Sequence, residues 1–123
     1  MEQSKKYELL NTDTIVLGDV TLYRIKALIS FGAVKKGELG GYVEKESNLC
    51  HSGNAWVSGN AWVYDNAKVS GDAWVSGDAW VYDNAEVSGN AWVTGDARVY
   101  GYAVVSSNAK FSDNAWVYGR QPK

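Results

Sequence analysis

Residues 53–70 read GNAWVSGNAWVYDNAKVS, residues 71–88 read GDAWVSGDAWVYDNAEVS and residues 89–106 read GNAWVTGDARVYGYAVVS. Alanine stands at 55, 61, 67, 73, 79, 85, 91, 97, 103, 109 and 115 without a slip, and two residues after each comes a valine, or in one unit Phe111. Alternate residues of an extended strand share a face, so each Ala and the following Val point one way and the residues flanking the Val point the other. The Gly/Asp and Asn/Asp pair that closes each unit is turn chemistry, because these residues tolerate left-handed backbone angles. A unit of six is therefore a short strand and a corner. Six residues cannot bury a core alone, but stacked coils about 4.8 Å apart pair each strand above and below and enclose the Val and Ala side chains.

The outward residues set the number of units per coil. Tyr64, Tyr82, Tyr100 and Tyr118 recur every eighteen residues, whereas the other units carry Ser or Thr in that place. Eighteen residues make three strands, so the sequence predicts an all-β, three-sided parallel β-helix of six-residue repeats. Face one then presents Trp56, Trp74, Trp92 and Lys110 in one column. Face two presents Trp62, Trp80, Arg98 and Trp116 beside the four tyrosines, and face three presents Lys68, Glu86 and Val104. All six tryptophans take the outward position. The period does not give the hand of the coil.

The open top of such a stack requires cover. Residues 1–50 are expected to supply it as an antiparallel β cap, with 51–118 as the helix and 119–123 as a tail, all one continuous domain. Tyr7 to Leu10, Ile15 to Leu17 and the alternating run Tyr23 to Ile29 read as strands, separated by turn formers at Asn11 to Asp13 and at Gly18-Asp19. Gly40-Gly41, which precedes Tyr42-Val43, reads as a further turn into the first coil.

Charge and composition restrict the function. The chain carries a net charge of −2, and residues 51–118 hold seven acids against three bases. No basic stripe exists to neutralise phosphates, so direct nucleic-acid binding is not expected. The single cysteine, Cys50, leaves no internal disulfide framework and fits a reducing compartment. There is no apolar run of membrane-spanning length, and the start MEQSKKYELL lacks the apolar core of a signal peptide. A cytoplasmic location without membrane attachment is the expectation.

Leu22 to Val57, with Arg24-Ile25-Lys26-Ala27 and then FGAVKKGELGGYVEKESNLCHSGNAWV (31–57), is similar to the start of bacterial and phage-borne hexapeptide-repeat proteins loosely described as acyltransferase-like. The resemblance implies a left-handed coil. It also implies a phage or prophage origin, and hence the host cell cytoplasm. The wider left-handed β-helix superfamily includes CoA-dependent acyltransferases that work as trimers and use a histidine base.

Catalysis of that kind needs a positioned base. The sole histidine, His51, occupies the slot that Val57 takes one unit later, and should point inward as a hydrogen-bonded structural residue. Its neighbour Cys50 should face the opposite way, which disfavours a Cys-His dyad. Asp65 over Asp83, and Asp78 over Asp96, could hold a cation between coils, but turn chemistry accounts for them, and neither metal nor cofactor is expected. The outward aromatics are what the fold leaves unexplained. Columns of Trp56, Trp74 and Trp92, and of Trp62, Trp80 and Trp116 beside Tyr64, Tyr82, Tyr100 and Tyr118, would make continuous apolar faces suited to a protein partner, a second copy or a stacked sugar. The expected function is a non-catalytic binding or assembly module, in one version an inhibitor of a host defence protein. CoA-dependent acyl transfer is the alternative.

Overall fold

The computed structural model describes residues 5–51 and 53–120; Pro122 and the end of the expected tail lie outside them. Short strands begin at 56, 62, 68, 74, 80, 86, 92, 98, 104, 110 and 116, one per six-residue unit. Each pairs in parallel with the strand eighteen residues away. Trp56, Trp74, Trp92 and Lys110 lie in one ladder. Trp62, Trp80, Arg98 and Trp116 lie in a second, and Lys68, Glu86 and Val104 in a third. The result is a β-solenoid of about four turns, and the sequence register holds column by column.

Backbone hydrogen bonds join the coils throughout, as from Trp74 N to Ala91 O at 3.0 Å and from Ser76 N to Val93 O at 2.9 Å. Corner residues take positive φ at each turn of direction. Glycine fills most of these positions, but Asp65, Asp83, Ser107 and Asp113 do so with φ of 56 to 60°. Val57, Val63, Val69, Val75, Val81, Val87, Val93 and Val99 are fully buried with their alanines, whereas Phe111, Ala115 and Val117 of the last coil are partly exposed.

The cap differs from its sequence reading in three ways, each with a physical cause. First, the turn formers Asn11 to Asp13 do not break the chain. β1 runs unbroken from Tyr7 to Leu17 and absorbs them as a register shift between Leu10 and Thr14 against β2, Val20–Ala27. Arg24 of β2 holds this irregularity. Its Nε donates to Asp13 Oδ2 at 2.7 Å, its Nη2 to Tyr42 Oη at 2.7 Å and its Nη1 to Gly40 O at 2.8 Å.

Second, Gly40-Gly41 is not a turn. With Tyr42-Val43 it lies within β3, Leu39–Val43, which is antiparallel to β2 and parallel to the strand Trp62–Val63. The cap is thus a continuation of face two, in a seven-stranded sheet that runs from β1 to Trp116–Gly119. Coil-on-coil pairing starts at Tyr42, not at residue 51.

Third, this first coil is longer than the others. Tyr42 pairs with Trp62 and Leu49 with Val69, twenty residues on, whereas Trp56 pairs with Trp74, eighteen on. Two extra residues therefore lie between Leu49 and Trp56. Leu49, fully buried, takes the inward slot assigned to His51.

β3 approaches the coil so closely that a Cβ at Gly41 would sit 2.6 Å from Ala61 O and 2.8 Å from Val57 Cγ1. Backbone cannot yield as a flexible side chain can. We predict that Gly41→Ala lowers stability by about 1 to 3 kcal/mol, measured by chemical denaturation. Gly18→Ala is the contrast, because a Cβ there meets nothing within 4 Å and the strain is that of its φ alone.

Candidate functional site

The aromatic columns stand in the expected register, but cover is distributed unevenly along them. At the top of face one Trp56 is fully buried, not exposed as the sequence suggested. The segment after β2 folds over it, with Phe31 edge-on at 5.4 Å and Tyr7 edge-on at 6.4 Å. Trp74 below is half-buried, and Trp92 is 50% exposed with Lys110 Nζ 5.1 Å from its ring centroid. No ring contact joins Trp74 to Trp92. Between them lies an apolar notch of about 260 Å³, bordered by Ala33, Ser76 and Thr94.

Face two repeats the gradient. Tyr64 is buried in a cluster with Leu22 and Tyr42, against which Ile15, Leu17 and Val20 of the β1–β2 hairpin pack. Burial pushes its hydroxyl up to about 12. Tyr82 and Tyr100 are half-buried, and Tyr118 is 61% exposed. The rings are stacked rather than spread as a flat strip: Trp62 on Trp80 at 4.7 Å and 3°, Tyr64 on Tyr82 at 5.3 Å, and Tyr82 on Tyr100 at 5.4 Å. Arg98 continues the tryptophan stack, 4.3 Å from the Trp80 ring centroid and 5.4 Å from that of Trp116, which is 65% exposed. Such contacts stabilise by about 0.5 to 1.5 kcal/mol each. They also consume ring faces that a flat ligand would use.

The bare aromatic surface is therefore the lower half of the prism, built from Trp92, Trp116 and Tyr118. Two further residues extend it that were not among the expected binding residues. Tyr102 replaces the Asn or Asp that closes every other unit, and Val104 lies outward on face three; both are exposed. The break in the Asn/Asp pattern was the available signal.

The carboxylates at the corner between faces two and three have structural work. Asp65 N donates to Glu44 Oε1 at 2.8 Å, Asp83 N to Asp65 Oδ2 at 3.3 Å and Gly101 N to Asp83 Oδ2 at 3.0 Å. Each carboxylate accepts the amide of the next coil, so this column needs no cation to explain it. No group of three or more His, Cys, Asp or Glu suited to a metal ion occurs among the described residues.

His51 does not point into the coil. It stacks on Tyr7 at 4.2 Å, its Nδ1 accepts from Lys6 N at 3.1 Å, and its Nε2 lies 3.0 Å from Glu46 Oε1. In the neutral ring Nε2 then carries the proton and donates to Glu46, and the lone pair on Nδ1 is already used. The hydrogen bond to His51, and then that to Lys5, holds the Glu46 carboxyl below its usual range. Beside this group lies a cavity of about 420 Å³ bordered by Cys50, Lys68 and Glu86.

The adjacent Lys6 is buried. Its Nζ donates to Ala55 O at 2.6 Å, supplying a partner to a carbonyl of the first full unit, and lies 4.7 Å from the Phe31 centroid. Desolvation pushes its ammonium down to about 8 from 10.5.

Compared with known proteins, the chain matches no family model and no curated protein. Among the described residues no helix is long and apolar enough to cross a membrane.

The buried ammonium gives a pH signature. Between about 8 and 10.5 the unfolded chain keeps a proton on Lys6 that the folded chain has lost, so stability rises with pH across that window. Above 10 the buried Tyr7 and Tyr64, whose hydroxyls are pushed up, act in the opposite sense. Denaturation series at pH 7 to 10 should show a gain of about 2 kcal/mol, and Lys6→Met should remove it.

Proposed function

We propose that this protein is a non-catalytic binding module whose protein partner docks on the lower half of the prism. One observation carries the reading: at equivalent positions of the same columns, the indole of Trp56 is fully covered and that of Trp92 half exposed, while Tyr64 is 9% and Tyr118 61% exposed. The fold covers aromatics where the cap reaches and leaves them bare beyond it. Solvation alone would favour polar residues at outward positions, as face three has at Lys68 and Glu86. Monomers seldom leave apolar patches beyond about 300 to 600 Å² uncovered, and Trp and Tyr are the residues that most often anchor interfaces.

A second copy of the chain would satisfy the same surface, and self-association is part of the proposal. The resemblance to phage-borne proteins extends it to a host-cytoplasmic role, with inhibition of a host defence protein as one form. CoA-dependent acyl transfer is the weaker reading, because both ring nitrogens of the sole histidine are already hydrogen-bonded.

Light scattering on the purified protein and affinity capture from host lysate test this, using a Trp92→Ser/Trp116→Ser double variant. Both side chains are exposed, so the variant should keep its circular dichroism, with a thermal midpoint lowered only by the loss of the Lys110–Trp92, Arg98–Trp116 and Tyr100–Trp116 contacts. It should lose association by tenfold or more, about 1.4 kcal/mol or above. A monomer that captures the same proteins with and without the two indoles would refute the proposal. Trp56→Ser should instead destabilise by about 3 to 5 kcal/mol, which separates the buried member of the column from the exposed ones.

A further inference from the structure

The corner between faces one and two differs from its counterparts. Its left-handed positions are filled by Gly77, Gly95 and Asp113, so Asp78, Asp96 and Asn114 follow the turn rather than make it. At the corner between faces two and three the stacked carboxylates bond amides of the next coil, and at the third corner Asn90 Nδ2 donates to Asn108 Oδ1 at 3.3 Å. The side chains of Asp78, Asp96 and Asn114 bond to nothing among the described residues. Asp78 and Asp96 stand one coil apart, a backbone spacing of about 4.8 Å. Arg98 lines the same groove but forms no ion pair with either; its guanidinium lies between the rings of Trp80 and Trp116, at 4.3 and 5.4 Å from their centroids.

These residues enclose a groove of about 430 Å³, lined by Asp78, Trp80, Asp96, Arg98, Asn114 and Trp116. Its chemistry selects a ligand class. The groove sets two carboxylates beside one guanidinium, so a ligand that donates to the first and accepts from the second engages all three. A neutral ligand must give hydrogens to Asp78 and Asp96 and accept them from Arg98 and Asn114, which hydroxyl groups do at once because each is donor and acceptor. An apolar face is needed as well, for the exposed indole of Trp116. The guanidinium is fixed by its two indoles before any ligand arrives, so little side-chain freedom is lost on binding.

We propose that this corner groove binds a neutral pyranose glycan, with vicinal hydroxyls bridging the Asp78 and Asp96 carboxylates to Arg98, and a C–H face of the ring on Trp116. The glycan site goes beyond partner docking and depends on other residues, Trp116 alone being common to both.

The test is titration of the labelled protein with soluble neutral hexasaccharides of glucose, mannose, xylose and N-acetylglucosamine, read at the tryptophan indole N–H signals. At least one sugar should shift the Trp80 and Trp116 signals in a saturable way. Asp78→Ala and Asp96→Ala, at exposed positions that hold no part of the fold together, should each weaken binding about tenfold. Trp92→Ser, outside the groove, should leave it unchanged. No shift with any of the sugars, or a shift that survives both aspartate variants or centres on Trp74 and Trp92, overturns the glycan site. None of those results touches the partner interface, which light scattering and lysate capture test separately.

Discussion

Everything in this molecule depends on one constraint: the backbone of each coil must lie directly over that of the next so that its amides and carbonyls are paired. Meeting it requires corners sharp enough to return the chain to the same three directions every eighteen residues. The left-handed angles at Gly59, Gly77, Gly95 and their counterparts supply those corners. Each of these glycines is also packed against the corner above or below, as with Gly77 over the backbone of Gly95. Where Asp65 and Asp83 take the place of glycine, the strain of a positive φ is offset by the carboxylate, which captures an amide of the next coil. Asp65 and Asp83 stabilise the stack in this way while Glu44 of the cap starts the series.

The cap and the prism share this constraint. β3 belongs to both, antiparallel on one side and parallel on the other, so the top of face two has no unpaired edge. The rest of the cap then folds down two faces of the prism. The segment after β2 covers Trp56, and the β1–β2 hairpin covers Tyr64. Lys6, buried at the junction, reaches Ala55 O, and His51 with Glu46 fastens the entering chain. What remains bare is what the cap does not reach.

The prism was legible in the sequence because its rule is local and repeated. Ala and Val two residues apart, with a Gly or Asx corner, fix which way each side chain points, and the tyrosine period fixes the coil. The first coil was not legible for the same reason. Gly40-Gly41 stands where an alanine unit would, close packing against Ala61 demanding the smaller residue, and twenty residues rather than eighteen separate Tyr42 from Trp62. Counting back by eighteen from Val69 therefore lands on His51, while the structure places Leu49 there. The fate of Trp56 could not be read either, since Phe31 and Tyr7, which cover it, are brought there by cap folding and not by any spacing in the repeat. The sequence set the columns; exposure along them came from long-range packing. In the corner groove the residues were visible from the start, but only the pairing of the other corners distinguishes Asp78 and Asp96 from carboxylates occupied by the fold.

The continuous face-two sheet has a consequence for how such a chain can change length. Each coil touches only the coils above and below it and repeats their register, so eighteen residues is the increment in which the prism can grow or shrink. Duplicating residues 71–88 would extend every column in phase and leave the cap undisturbed. Duplicating six residues would rotate all that follows by one side of the prism, setting tyrosines over serines and breaking the aromatic stack at the insertion.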